Sequence, residues 1–401
     1  MPRALLLLPT STYRARDFLA AARRLGLDVV VASEEPQVLA DVSSDRAVVV
    51  PVSDPDAAVD AISALDRRRA LDAVVAVDDL GVIVAAAAAE KLGLPHNPPD
   101  AAAATRNKVE MRARLARAEV TQPEYRLVDD ASDAPDAARE LGVPVVVKPV
   151  ALSASRGVVR VDDVDEVESV AGRVAAIQGG GPLLVERYVP GDEVALEGLL
   201  HDGELQVLAM FDKPDPLVGP YFEETMFVTP SRHTEPTQGE IARVTQAAAH
   251  AIGLRTGPVH AELRVPADGV AVLLEVASRS IGGLCSRALV FGIGVSLEEL
   301  ILRQATGRPL GSLRRAHVAS GVVMLPIPGA GTLVGVHRVD DVRAMPGVDG
   351  VEITIAPGRS IVPLPEGDRY LGFVFAHGES PDAVETTLRR AVDTLDVEIR
   401  P

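Results

Sequence analysis

Short apolar runs alternate with amphipathic stretches through the first hundred residues, and that alternation admits few folds. Ala4 to Leu8 is followed by a helical pattern near 14–26 (Phe18, Leu19, Ala22, Leu25), then by a second apolar run from Asp28 to Ser33. Val48 to Val52, a helix near 55–68 and Ala73 to Val77 continue the series. Strands separated by helices run parallel, because each helix carries the chain back to where the previous strand began. A doubly wound, Rossmann-like α/β domain is therefore predicted over 1–105. An alanine-rich helix (81–92) stops at Gly93, and Pro95-His96-Asn97-Pro98-Pro99 reads as a linker.

A helix over 106–118 carries Asn107, Lys108 and Arg112, and from Val143 onward the texture changes. Short strands are predicted at 144–148, 157–161, 182–188, 193–200 and 205–211, with helices near 163–177 and 238–252. This pattern is α+β with antiparallel hairpins, and a helix near 295–306 closes it at Gly307-Arg308-Pro309. The remainder, 311–401, shows strands at 317–325, 351–356 and 370–377 and a last helix at 381–394. It reads as a small C-terminal α+β domain packing over the site and helping to select substrate, so the expected divisions are 1–105, 106–310 and 311–401.

Composition removes several function classes. Net charge is −17, which repels nucleic-acid backbones and anionic lipid surfaces. Aromatics are 3% and Trp is absent, too few for base-stacking surfaces. Cys285 is the only cysteine, so no intrachain disulfide forms, and a cytoplasmic location is expected. The longest apolar stretch, Leu71 to Leu94, is broken by Asp78, Asp79, Glu90 and Lys91 and does not read as a membrane span. No nucleotide-binding P-loop, dinucleotide fingerprint, nucleophile elbow or zinc-ligand spacing occurs.

Four segments carry chemistry. Val145-Val146-Val147-Lys148-Pro149 is an apolar strand that brings an ammonium to the sheet's end. The small residues of Ser153-Ala154-Ser155-Arg156-Gly157-Val158 follow, and their backbone amides can wrap phosphate oxygens. An ordinary strand and turn fits the same letters. Leu183 to Val189, then Pro190-Gly191-Asp192-Glu193, offers a strand edge for a purine rim and a carboxylate for ribose, or simply strand, turn and strand.

The third segment is the most informative. Gly257-Pro258-Val259-His260-Ala261-Glu262-Leu263-Arg264-Val265 alternates strictly, Pro266-Ala267-Asp268-Gly269 turns, and Val270 to Val276 returns. With Val265 paired to Val270, His260 lies opposite Glu275 and Glu262 opposite Leu273. Glu262 and Glu275 then share a face as diagonal neighbours, roughly 7–8 Å apart. Two such carboxylates can converge on a hard cation, the setting Mg²⁺ prefers beside phosphate oxygens. In the fourth segment, Ser278-Arg279-Ser280-Ile281-Gly282-Gly283, an arginine beside paired glycines suits a planar anion, or else is a structural arginine paired with a nearby acid. Cys285 reads as a packed small hydrophobe rather than a nucleophile.

In this order the four segments resemble the ATP-grasp superfamily over roughly 1–310, and most closely its carboxylate–amine ligase branch, with its bacterial amino-acid ligases and formate-dependent phosphoribosylglycinamide transformylase. The resemblance implies a preATP-grasp domain followed by an ATP-grasp domain with a lid subdomain at about 120–188. It implies that Lys108 and Lys148 touch ATP phosphates and that Ser153, Ala154, Ser155, Arg156, Gly157 and Val158 form the phosphate lid. Glu186, Arg187, Tyr188 and Val189 would bracket adenine and Glu193 would hold ribose. Glu262 and Glu275 would carry Mg²⁺, with Mn²⁺ as a substitute, and Arg279 with Lys148 would serve the acyl phosphate. The family's E-[VI]-N-x-R appears as Glu275-Val276-Ala277-Ser278-Arg279, so an asparagine ligand is absent. The expected reaction joins a carboxylate to an amine through an acyl phosphate, with ADP and phosphate released and amino acids as the expected substrates. Other ATP-grasp chemistry, such as formyl transfer, and a non-catalytic ATP-binding regulatory role stand beside it. Small-molecule partners are expected, no nucleic acid or membrane, and a homodimer is the commonest form should the chain associate.

Overall fold

A computed structural model describes residues 1–10, 12–35 and 45–401. The N-terminal unit holds a parallel sheet in the order Ala47–Val49, Asp28–Ser33, Arg3–Leu7, Ala73–Ala76. Leu5 and Leu7 face helices Pro55–Arg68 and Val82–Leu92, whereas Ala4 and Leu6 face Phe18, Ala21 and Ala22 of helix Ala15–Arg24. Both faces are covered, which is why these strands are continuously apolar. Of the expected linker, 95–98 forms neither helix nor strand, and Pro99 opens a short helix Pro99–Ala104 as its first residue.

The lid-like sheet runs Tyr125–Val128, Leu183–Arg187, Val145–Pro149, Val159–Val161, all antiparallel, under helices Ala134–Leu141 and Val164–Gln178. Sequence reasoning missed Tyr125–Val128 and Ala134–Leu141. The strand is four residues and half exposed, and the helix is eight residues with Pro135 in its first turn, so neither makes a long periodic signal.

An eight-stranded antiparallel sheet forms the body. Its order is Val272–Ala277, Gly257–Val265, Asp192–His201, Glu204–Asp212, Met226–Thr229, Ala319–Leu325, Gly372–Gly378, Val348–Ile353. Period-two alternation divides Asp192–His201 between two cores. Val194, Leu196 and Leu200 meet helix Glu235–Ile252, while Ala195 and Leu199 meet helix Leu297–Ala305. The segment 311–401 continues the body's sheet through the unanticipated strand Met226–Thr229. A separate three-stranded sheet of Ser360–Ile361, Gly331–His337 and Asp396–Arg400 completes the C-terminal α+β part. Among the described residues no helix is long and apolar enough to cross a membrane.

Helix Pro381–Thr394 seals the C-terminal half by placing Val384 and Leu388 on the sheet. The approach is close because residue 321 is glycine. A Cβ there would lie 2.8 Å from the Phe227 carbonyl oxygen and 2.8 Å from a Val384 methyl. Gly321→Val is expected to cost ~1–3 kcal/mol through overpacking, read as a lowered urea midpoint at unchanged slope.

Candidate active site

The parallel sheet, the lid-like sheet and the eight-stranded sheet border a cavity of ≈ 530 Å³, joined at its rim by the C-terminal loop with Asp368 to Tyr370. Lys148 reaches it from strand Val145–Pro149, in which Val145 and Val147 point the other way into the lid core. Its Nζ is 2.6 Å from Glu186 Oε2 on the neighbouring strand. Arg112 grips the same carboxylate, Nε 2.7 Å from Oε1 and Nη2 3.2 Å from Oε2. Glu186 thus has a role the sequence did not suggest. Its side chain is a buried counterion, so the adenine-edge expectation is left to its backbone alone.

Charge in this corner is out of balance. Burial works to raise the Glu186 carboxyl, yet Arg112 and Lys148 hold it at about 2. Burial pulls Lys148 down to about 8; Glu186 opposes that, while Arg112 and Lys108 add to it. Three cations share too few acids, and an arriving anion would relieve them. Lys108 opens helix Lys108–Arg117, where the Asn107 side chain accepts from the amides of Val109 and Glu110. Its Nζ donates to the Leu152 carbonyl at 2.8 Å and stands 3.3 Å from Glu275 Oε2, tying the loop beside Lys148 to the distant hairpin.

In the loop, Ser153, Ala154, Ser155, Arg156 and Val158 line the cavity, whereas Gly157 does not. Its amide donates to the Pro365 carbonyl at 3.0 Å, and Arg156 Nε donates to the Glu366 carbonyl. Ala154 and Ser155 both hold left-handed backbone, φ +57° and +55°. That conformation costs side-chain-bearing residues about 1–3 kcal/mol each and gathers at ligand clamps. Arg187, Val189 and Glu193 also line the cavity; Tyr188 stands outside it, stacked on Phe222 with its ring under Arg160 and Arg264. Glu193, expected to face a ribose, already accepts from Lys213 at 2.7 Å and from Arg264 at 2.9 Å.

The hairpin register differs from the expected one. Glu262 pairs directly with Glu275 and His260 with Ala277, and a bulge after Glu262 shifts Leu263 opposite Leu273. Val270 does not pair with Val265, because Asp268 accepts from the Val270 amide and the return strand starts only at Val272. The carboxylates are therefore cross-strand neighbours rather than diagonal ones, with Cβ atoms about 4.5–5.5 Å apart by strand geometry. Both line the cavity.

Glu224 and His260 complete this wall, with Lys213 and Glu197 buried behind it. The segment from Phe211 to Thr225, whose Pro, Gly and charged residues suit a substrate-facing loop or a surface excursion alike, supplies Lys213 and Glu224. Lys213 Nζ is 2.7 Å from Glu193, 2.6 Å from Glu224 and 3.5 Å from Glu262. Burial raises Glu224 to about 7, with Glu262 adding to the rise and Lys213 opposing it. Burial works to lower His260, but Glu197 and Glu262 carry it to about 9. Cys285 packs 3.6 Å from Met324 Sδ, and burial pushes its thiol up, away from nucleophilic use. Asp368, Arg369 and Tyr370 bring the C-terminal part to the cavity rim.

Hard oxygen donors make the wall a fit for a divalent cation. Glu193, Glu224 and Glu262 place oxygens within 4.8 Å of one another, but the Lys213 ammonium already stands among them. Glu262 with Glu275 is the better pair, since its counterions lie at 3.3 Å and beyond and both side chains are about a quarter exposed, 26% and 29%. Ala277, next along the strand on the same face as Glu275, offers no donor atom.

Models of known families match this chain in three parts. An ATP-grasp N-terminal domain matches 19–96, an ATP-grasp domain 141–288, and an L-amino acid ligase C-terminal domain 2 matches 323–400. The chain belongs to the ATP-grasp superfamily. Within that superfamily it falls in the carboxylate–amine ligase branch, which makes it an ATP-dependent ligase. The structure of an L-amino acid ligase from Bacillus licheniformis superposes with a TM-score of 0.83 at 26% identity, covering 100% of this chain and 99% of that one. An uncharacterized protein of Sinorhizobium fredii is 26% identical over 100% of this chain and 84% of its own length. The alanine–anticapsin ligase of Bacillus subtilis is 28% identical over 50% of this chain, and the match spans 47% of that enzyme. An N5-carboxyaminoimidazole ribonucleotide synthetase from Thermotoga maritima shares the ATP-grasp fold alone, with a TM-score of 0.75 at 17% identity over 100% of each chain.

The buried Glu186 pair makes a stability test. Glu186→Gln leaves Arg112 and Lys148 facing each other without a counter-charge, and a loss of ~3–5 kcal/mol is expected in urea unfolding at pH 7. The Glu186 carboxyl is depressed by folding, so its contribution is full above the unfolded-state value near 4.3 and fades as pH falls toward about 2. The gap between wild type and Glu186→Gln should shrink across that window.

Proposed function

We propose that this chain activates the carboxylate of one amino acid as an acyl phosphate at the expense of ATP and joins it to the amine of a second, releasing ADP and phosphate. The observation that carries the reading is convergence: Lys108, Lys148, Glu262 and Glu275, from three separate stretches of chain, meet around one cavity. Kinship supports the substrate class. The L-arginine-specific L-amino acid ligase of Bacillus subtilis is 24% identical over 63% of this chain and 62% of its own length, and an L-amino acid ligase shares the whole fold.

In this reading Lys148 and Lys108 hold the β- and γ-phosphates, and loop 153–158 wraps them with backbone amides. Arg187 and Val189 border the adenine, with Glu186 and Tyr188 setting that wall from behind, and Glu193 meets the ribose. Glu262 and Glu275 would hold Mg²⁺ or Mn²⁺, which when bound neutralises charge on the phosphate oxygens. The substrate carboxylate attacks the γ-phosphate in line, and the positioned cations offset the charge that develops. Arg279 then steadies the acyl phosphate while the amine attacks its carbonyl carbon and phosphate leaves. Glu224, held near neutrality between charge states, is placed to take the amine's proton. Loop 153–158 and the rim residues Asp368 to Tyr370 exclude water, which would otherwise hydrolyse the intermediate. The division at 1–105, 106–310 and 311–401 and a cytoplasmic setting belong to the same proposal, as does a possible pairing of two copies.

Incubation with Mg-ATP and amino-acid mixtures, followed by phosphate assay and mass spectrometry, is expected to give ADP and a condensed dipeptide-like product. ATP binding without ADP formation for every acid and amine tried would overturn the ligase reading. Glu275→Gln should lower kcat by roughly 100-fold or more while leaving the circular dichroism spectrum unchanged. Turnover at the wild-type rate would remove Glu275 from the metal site.

Binding should also depend on pH. The free protein loses the Lys148 proton as pH rises through about 8, whereas a bound phosphate favours the charged ammonium. Nucleotide affinity is therefore expected to weaken above pH 8, by at most about tenfold per unit, and the slope should vanish in Lys148→Met.

A further inference from the structure

We propose that Asp79, in the N-terminal unit, is a positioning residue for acyl transfer, acting through Arg279. The proposal rests on the ligase reading above, in which Arg279 meets the acyl phosphate. Asp79 opens the short turn Asp79–Gly81 that follows strand Ala73–Ala76, and the Asp78 side chain accepts from its amide at 3.0 Å. It thus stands just past the carboxyl end of a parallel strand, where open α/β sheets place their ligand-binding groups. Both Asp78 and Asp79 line the cavity.

Asp79 Oδ1 lies 3.0 Å from Arg279 Nε and 3.5 Å from Arg106 Nη1, with the Asp79 and Arg279 side chains only 12% and 14% exposed. Burial works to raise its carboxyl, but Arg279 and Arg106 hold it below the ordinary value, so it is an anion at neutral pH. One Arg279 Nη1 hydrogen goes to the Ser280 carbonyl at 3.1 Å. A guanidinium has five donors in a planar fork. The 3.0 Å ion pair with Asp79 and the Nη1 hydrogen bond to Ser280 hold the guanidinium in this corner, although the Nε hydrogen is not aligned on the carboxylate, and they leave the Nη2 edge for a planar anion. The neighbouring contact between Thr105 Oγ1 and Ser278 Oγ, 3.1 Å, stitches the same junction and limits its movement. Without Asp79 the arginine keeps its charge and loses its direction. Arg106 does not replace that direction, since it shares Asp79 as its own partner.

A purely structural ion pair between the two units would look similar in geometry, and a double-mutant cycle separates the two. Wild type, Asp79→Asn, Arg279→Gln and the double variant are assayed by phosphate release with a fixed acid and amine. Asp79→Asn is expected to lower kcat/KM for the carboxylate ~10–100-fold, the range seen for residues that orient a reacting group. KM for ATP should stay close to wild type, and every variant is assayed well below its own thermal midpoint. Once Arg279 is gone, Asp79→Asn should cost nothing further. Wild-type kcat/KM in Asp79→Asn would overturn the proposal, as would a double variant whose loss is the product of the two single losses. Should Asp79→Asn fail to fold, Asp79→Glu keeps the charge but moves it by one methylene. Reduced kcat/KM in a folded Asp79→Glu supports the proposal, and wild-type kcat/KM there overturns it. A wild type that makes no ADP with any acid and amine would sink the ligase reading instead, and is recognised before any variant is made.

Discussion

One nearly buried carboxylate shared by two cations at the cavity's edge sets the terms for the rest of the site. Glu186 lies between Arg112 and Lys148, each within 2.7 Å at its nearest atom. Arg112 also donates to the Leu274 carbonyl, so the same contact fastens the lid sheet to the strand that carries Glu275. The lid cannot shift against the hairpin without exposing a buried charge, which is far costlier than losing a surface ion pair. Lys148 is left short of negative charge by this arrangement, and the site is thereby primed for a polyanion.

The opposite wall has the reverse problem. Glu193, Glu224 and Glu262 crowd together, and Lys213 and Arg264 compensate them. An excess of positive charge therefore faces an excess of negative charge across one cavity. A nucleotide with its divalent cation matches both surpluses, because its phosphates suit the lysine side and its metal suits the glutamate side. The overall charge of −17 has little bearing on this. Local placement in a low-dielectric cleft outweighs the screened long-range field.

The C-terminal part is tied into the same machinery from two directions. Its strands prolong the central sheet, and its loop at 363–370 accepts from the loop at 153–158 while lining the cavity with Asp368, Arg369 and Tyr370. Arg173 of the lid adds an ion pair to Glu366 at 2.7 Å. Solvent screens that pair, yet with the backbone contacts it gives the loop several anchors rather than one. Sequence periodicity could see strands here but not their neighbours.

What the sequence determined by itself is everything that depends on local pattern. Apolar runs alternating with helical periods made the parallel sheet legible, and strict alternation over 257–265 put Glu262 on one face with His260 and Arg264. The lysine ending Val145–Pro149 and the small-residue loop after it were also readable, because strand, turn and charge lie within a few residues of one another. Tertiary structure decided what depends on distant partners or on single-residue register. The bulge after Glu262 turned diagonal acids into facing ones, and Asp268 moved the start of the return strand. Glu186 became a counterion only because Arg112, 74 residues away, folds against it. Asp79 met Arg279, and Met226–Thr229 joined the body to the C-terminal strands, for the same reason. Hydrophobic periodicity reports which face of an element is buried, and carries no record of what waits on the other side.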